Sequence, residues 1–378
     1  MRQDQERRRS LFRRQELIKV ARPSANGAAH PRRSRLWGKM ADSKAFICGC
    51  TGSALNDQER AFIARERPWG LILFLRNIEE PTQIASLIAS FRDLVGRDDA
   101  PVLVDQEGGR VQRLGPPHWP KYPPAALFRR LPGGIEAQAE ATRLAARIMA
   151  ADLRSLGISI DCMPVLDVPD PKGHAIIGDR AYSDLPGEVA ALGKAAIEGM
   201  LAGGVLPVVK HIPGHGRAQA DSHFDLPVVR ADLRSLREVD FAPFRALASA
   251  PLAMTAHVVY AAIDPERPAT LSDRVIAEAI RGEIGFKGLL ISDDLSMRAL
   301  SGGLADRARG AFAAGVDVAL HCNGDPAEAQ AVSQAAPMLA GDSLERARRA
   351  LDLVAVAPPP FDLVDARARL QSMLAMAA

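Results

Sequence analysis

LPVVKHIPGHGRAQADSHFDLP, residues 206–227, changes character within a few positions. LPVVK, 206–210, is short, rich in β-branched residues and almost continuously apolar, as a strand covered on both faces must be. The following KHIPGHGRAQADSHFDLP holds three histidines, two glycines and Pro213, a composition that favours a polar loop over helix or strand.

The same alternation runs through the chain on both sides of this stretch. AFIC (45–48), GLILFL (70–75), PVLVD (101–105), ISIDCM (158–163), LAMTAH (252–257), GLLIS (288–292) and VDVAL (316–320) bring the number of such runs to eight. Between them, 135–156, 186–202, 232–249, 272–284 and 303–314 carry apolar residues at three- and four-residue spacing, which predicts amphipathic helices. Gly157, Gly203, Gly204, Gly285 and Gly315 stand where helix C-caps are expected.

Eight such βα units predict an α/β fold, a (β/α)8 TIM barrel forming one domain over 41–378. An open doubly wound sheet could also hold eight parallel strands, but no GxGxxG follows the first run. No internal repeat, low-complexity segment or linker marks off a second domain.

Of 378 residues, 47% are hydrophobic and 25% charged, which suits a soluble chain with a large core. Residues 1–40 hold 12 Lys/Arg against 3 Asp/Glu, leaving 36 against 42 in the rest, so a basic extension precedes a mildly acidic body. The extension has no aromatic-basic interleaving, and no nucleic-acid partner is expected. Its RRRSLF (7–12) is followed by Arg13, Arg14, Gln15 and Glu16 where an export signal needs an apolar segment. A disordered extension, or a start at Met40, is the simpler expectation.

The thiols Cys48, Cys50, Cys162 and Cys322 form no CxxC and lie mostly in apolar runs, the usage of a reducing compartment. No run of about 18 apolar residues is present for a spanning helix. A cytoplasmic protein without membrane contact is therefore expected, and a monomer is the expected state although no residue pattern argues for it.

In a barrel, chemistry sits where strands end. Asp105 in VDQEGGRVQRL follows the third run, Asp161 the fourth with Arg180 later in IIGDRAYS, Lys210 and His211 the fifth, His257 the sixth, and Asp293 and Asp294 in ISDDLSM the seventh. His211, His215 and His223 match no common zinc spacing, and Pro213 with Gly214 forbids the helix that an i, i+4 pair needs, so no metal or cofactor is expected. Asp221 and His223, two apart, could instead form a proton-transferring dyad, or His223 could be an ordinary loop histidine. For Asp293 and Asp294 the alternatives are nucleophile and helix cap, and spacing does not choose between them.

VDQEGGRVQRL, IIGDRAYS, KHIPGHG with DSH, and ISDDLSM, in this order, resemble the motifs of glycoside hydrolase family 3, in particular its single-domain bacterial β-N-acetylglucosaminidases of peptidoglycan recycling. The resemblance covers roughly residues 44–340 and rests on four ordered motifs. It implies a retaining hydrolysis of terminal β-linked GlcNAc from muropeptides, with Asp293 as nucleophile and His223, oriented by Asp221 on a loop, as acid/base. It further implies that Asp105, Arg113, Arg180, Lys210 and His211 hold the sugar. Asp161, His215, His257 and Asp294 are expected to support or cap. A family 3 β-glucosidase, a GlcNAc phosphorylase and a sugar-binding barrel without turnover are the rival readings.

Overall fold

Parallel strands buried on both faces need a layer of helices outside and a packed interior inside, and closing the sheet removes its edges. The computed structural model, which describes residues 40–219, 222 and 225–377, satisfies both demands with a closed eight-stranded barrel. Its strands are β1 (Lys44–Cys48), β2 (Pro68–Leu73), β3 (Val102–Val104), β4 (Ile160–Asp161), β5 (Leu206–Ile212), β6 (Leu252–Thr255), β7 (Leu289–Asp294) and β8 (Val318–His321). Every neighbour pair is parallel, and β1 closes the ring on β8. The open doubly wound sheet is thereby excluded.

Side chains in strands alternate between faces. One buried cluster takes Ala45, Ile47, Leu103, Leu206, Val208, Leu252, Met254, Leu289, Ile291, Val318 and Leu320, the alternate positions that fill the barrel. The intervening positions, among them Phe46, Val102, Val104, Val209, Ala253 and Leu290, belong to the cluster shared with the helices. Met40 packs with the interior cluster, so the last residue of the predicted basic extension is part of the barrel's packing. Residues 1–39 lie outside the described residues.

The helices largely follow the sequence signals. Pro186–Ala202 starts on a proline, whose missing N–H costs nothing in a first turn, and Gly134–Ser155 and Leu304–Ala314 are also continuous. Gly315 caps the last of these at φ +107°, a conformation that a side chain would oppose. By contrast Gly203 sits at φ −86° and leaves the left-handed position to Gly204.

Two predicted helices are altered. The 232–249 segment divides into Leu233–Ser235, a wide π-type turn Leu236–Asp240 and Phe241–Ala246; Pro243, which has no N–H to give the turn before it, lies just beyond the widened part. The 272–284 segment is π-type over Val275–Glu283. ISIDCM supplies only the two paired residues of β4, while β5 runs past the predicted end at Lys210 to Ile212, so His211 belongs to a strand and not to a loop.

Candidate active site

Continuing the interior alternation by two residues past Leu103, Val208, Ile291 and Leu320 reaches Asp105, Lys210, Asp293 and Cys322. All four line one pocket of about 250 Å³ at the C-terminal mouth of the barrel. The fold thus converts a pattern of period two into convergence of residues far apart in sequence. A register shift between Lys210 and Ile212 breaks the alternation locally, and His211 also faces the pocket.

Lys210 Nζ, almost fully buried, lies 2.9 Å from Asp105 Oδ1 and 2.6 Å from Glu107 Oε1. Arg113 reaches Asp105 Oδ2 at 2.9 Å, with its guanidinium over the ring of Phe74. Arg180 grips both Glu107 oxygens, Nε to Oε2 at 2.8 Å and Nη2 to Oε1 at 2.9 Å, the paired geometry that a guanidinium offers a carboxylate. Burial pushes the Asp105 carboxyl up, but Lys210 and Arg113 outweigh it and hold the group below its ordinary range. Burial likewise opposes the Lys210 charge, and Asp105 and Glu107 more than restore it, so the ammonium is held more firmly than usual. The result is a nearly dry set of fixed charges able both to donate to and to accept from the hydroxyls of one polyol ring.

Glu107 is a member of this set that reading the sequence for strand ends passes over. It stands two residues beyond Asp105 in VDQEGG, on a short hairpin of Gln106–Gly108 with Val111–Gln112. Asp167 is another. It accepts His211 Nδ1 at 2.7 Å and the backbone N–H groups of His211 and His215 at 3.2 and 2.6 Å. Its only sequence signal is its place in PVLDVPD, beyond β4.

Asp293 sits opposite the charge cluster and is half-buried. Its Oδ1 accepts the Asp294 N–H at 2.8 Å. Burial raises its pKa, while the rings of His257 and His211 when protonated, the Asp294 N–H and the Lys210 ammonium bring it below the usual carboxylate value. An ionised carboxylate aimed into a pocket is equipped to act as a nucleophile. Asp294 is occupied otherwise: Oδ1 accepts Ser296 N–H at 3.0 Å and Cys322 N–H at 3.1 Å, and Oδ2 accepts the Ser296 hydroxyl at 2.6 Å. It holds the turn after β7; no helix starts there, so it is not the helix cap that was the second sequence alternative.

The remaining expectations divide. Asp161 does not line the pocket; it lies off the interior alternation and accepts the Gln106 N–H at 2.9 Å. His215 is buried on the pocket wall with its ring centroid 5.5 Å from that of His211 and its Nε2 3.3 Å from Ser222 Oγ. Burial, and then the charge of His211, lower its pKa to about 4, so it stays neutral near pH 7. Asp221 and His223 lie outside the described residues. Ser222, between them in sequence, is described: it lines the pocket, and its carbonyl accepts the Ala299 N–H at 3.3 Å. Among the described residues no group of three or more His, Cys, Asp or Glu is arranged to hold a metal ion, and no helix is long and apolar enough to cross a membrane.

Known proteins place this pocket in context. Residues 37–349 match the model of the glycosyl hydrolase family 3 N terminal domain. The chain is 40% identical over 280 residues to a β-hexosaminidase of Pseudomonas aeruginosa, covering 72% of this chain and 80% of that protein. With a β-hexosaminidase of Methylococcus capsulatus it shares 41% identity over 276 residues, with the same coverage of 72% and 80%. Among solved structures it resembles NagZ from Neisseria gonorrhoeae in complex with N-trifluoroacetyl-D-glucosamine, with 30% identity, TM-score 0.77, and coverage of 89% of this chain and 98% of that one. It also resembles a family 3 β-N-acetylglucosaminidase from Paenibacillus, with 32% identity, TM-score 0.72, and coverage of 90% and 63%. Motif order, closed barrel and matched length agree, and the chain belongs to glycoside hydrolase family 3.

Proposed function

We propose that this chain is an exo-acting β-N-acetylglucosaminidase that removes terminal β-linked GlcNAc with retention of configuration. The observation that carries the reading is the ionised Asp293 carboxylate facing the Asp105, Glu107, Lys210 and Arg180 cluster across one pocket. A cluster of fixed charges at the barrel mouth suits recognition of a chain's terminal sugar by its hydroxyls, with the reacting carbon turned toward Asp293.

In the proposed reaction Asp293 attacks the anomeric carbon as the bond to the leaving oxygen breaks, giving a glycosyl ester. His223, oriented by Asp221, supplies the proton to the leaving oxygen. It then takes one from water, which cleaves the ester and frees Asp293. Asp105, Arg113, Arg180, Lys210 and His211 hold the hydroxyls and the acetamido group. The substrates are peptidoglycan fragments carrying GlcNAc on 1,6-anhydro-N-acetylmuramic acid, processed in the cytoplasm by a monomer.

The test is release of the aryl group from a chromogenic β-GlcNAc substrate and from its β-glucoside counterpart, with the first-formed sugar anomer read by proton NMR. Preferential turnover of the GlcNAc compound with β-GlcNAc appearing first is expected. An α-anomer first, preference for glucoside, or GlcNAc-1-phosphate as the product in phosphate buffer would each overturn part of the reading. Release of GlcNAc from the anhydro-muropeptide tests the substrate class, and its absence would overturn that assignment.

A further inference from the structure

Behind Asp293 lies a run of buried polar groups that the proposed chemistry does not use. Thr255 at the end of β6, His257 two residues later and Thr270 in the turn Ala269–Leu271 are all 0% exposed. Thr255 Oγ1 is 2.7 Å from Thr270 Oγ1, and Thr270 Oγ1 is 2.7 Å from His257 Nδ1. His257 Nε2 is 2.9 Å from the Asp294 carbonyl oxygen, and the Asp293 N–H points at Thr255 Oγ1 over a longer 3.4 Å.

The directions of these bonds follow from one constraint. A carbonyl only accepts, so His257 Nε2 carries the proton. In the neutral ring Nδ1 is then an acceptor; the Thr270 hydroxyl lies 3.2 Å from the Ala256 carbonyl and 2.7 Å from Nδ1, gives its one proton to the nearer Nδ1, and its oxygen accepts from Thr255. The Thr255 oxygen is left to accept the Asp293 N–H. The neutral form is the one this site favours, because burial lowers the His257 pKa. The run therefore begins at the Asp293 N–H and ends at the Asp294 C=O, holding the backbone on both sides of the peptide whose own N–H is bound to Asp293 Oδ1.

We propose that His257, with Thr270 behind it, is a positioning residue for the attack by Asp293: its Nε2–H fixes the Asp294 carbonyl, and through it the peptide that aims the Asp293 carboxylate. The proposal rests on Asp293 being the nucleophile. Such a residue contributes to the reacting geometry and not to holding the sugar, since it touches the backbone of the β7 end and lines no part of the pocket.

The experiment compares His257→Gln, His257→Leu, Thr270→Val and Asp293→Asn with the wild type on a chromogenic β-GlcNAc substrate across pH, with thermal melts and GlcNAc binding measured in parallel. His257→Leu is expected to lower kcat by about 10- to 100-fold while KM and GlcNAc affinity stay within about twofold, the size expected for a misplaced reacting group. The acid limb of its kcat/KM profile should move to higher pH, because the carboxylate loses its fixed N–H. His257→Gln, which can keep a donor to the carbonyl, should restore most of the rate and the limb. Thr270→Val should lower kcat with KM unchanged, and it carries the test if His257→Leu does not fold. Wild-type kcat and an unmoved limb in His257→Leu or, where that variant is unfolded, in Thr270→Val would overturn the proposal. So would losses in KM and GlcNAc affinity that match the loss in kcat. Substantial activity in Asp293→Asn would instead overturn the nucleophile and this proposal with it, whereas an inactive Asp293→Asn beside a fully active His257→Leu overturns the positioning role alone.

Discussion

Lys210 lies 2.6 Å from Glu107 with both side chains almost wholly out of solvent, and the same ammonium holds Asp105. Two carboxylates sharing one ammonium repel each other, and Lys210 offsets that repulsion while Arg113 and Arg180 each hold one of the two. The arrangement makes the charges interdependent. Lys210→Met should destabilise the fold by about 3 kcal/mol, in the range for stripping one partner from a buried ion pair. Urea unfolding at pH 7 measures this, and a stability equal to wild type would show that water already solvates the carboxylates.

Arg180 and Glu107 meet through two parallel contacts that a lysine could not make. Arg180→Lys should therefore raise KM for the aryl β-GlcNAc substrate by roughly tenfold, corresponding to about 1.4 kcal/mol of lost positioning. An unchanged KM would mean that the guanidinium plays no part in sugar binding.

Asp293→Asn keeps the shape of the side chain and removes its charge. A loss of kcat of at least about 1,000-fold, with a folded protein and GlcNAc binding retained, is the expected outcome for a covalent nucleophile. Steady-state kinetics with a matched melt decides it; a loss of only a few fold would return Asp293 to the role of a turn residue.

His223→Ala and Asp221→Asn should differ from Asp293→Asn in their response to the leaving group. A good aryl leaving group needs little protonation, so formation of the glycosyl-enzyme should be nearly unaffected, while a sugar leaving group should slow by about 100- to 10,000-fold. Equal losses on both substrates would remove the pair from proton transfer.

His215 titrates at about 4 in the fold against an ordinary 6.5. The folded state thus prefers the neutral ring, and this contribution is complete above pH 6.5 and is lost as pH falls from 6.5 toward 4. Relative to His215→Gln, the wild type should lose up to about 3 kcal/mol of stability over that interval, since each pKa unit corresponds to about 1.36 kcal/mol. Taking the difference between the two proteins cancels other titrating groups. A difference that does not vary between pH 7 and pH 4 would place the His215 ring in contact with solvent.

The barrel and the location of its working end were legible in the sequence because both depend on local periodicity. Runs such as AFIC and LPVVK are too apolar for any position but one covered on both faces, and the alternation that packs Leu206 and Val208 inward carries Lys210 to the mouth. Where a local rule was broken the reading slipped: Pro243 follows a widened turn in one predicted helix, and β5 continued through His211 where composition suggested loop. The choice of Asp293 over Asp294 came from motif order and not from spacing.

Sequence by itself thus determined the eight strands, three continuous helices between them, the family and most of the charged groups at the mouth. Only the tertiary structure decided which charges neutralise which. Arg180 and Glu107 lie 73 positions apart, Lys210 and Asp105 105, and His211 and Asp167 44. Periodicity reports which face a side chain takes, but an ion pair forms by distance across the barrel, and that distance exists only once the ring of strands has closed.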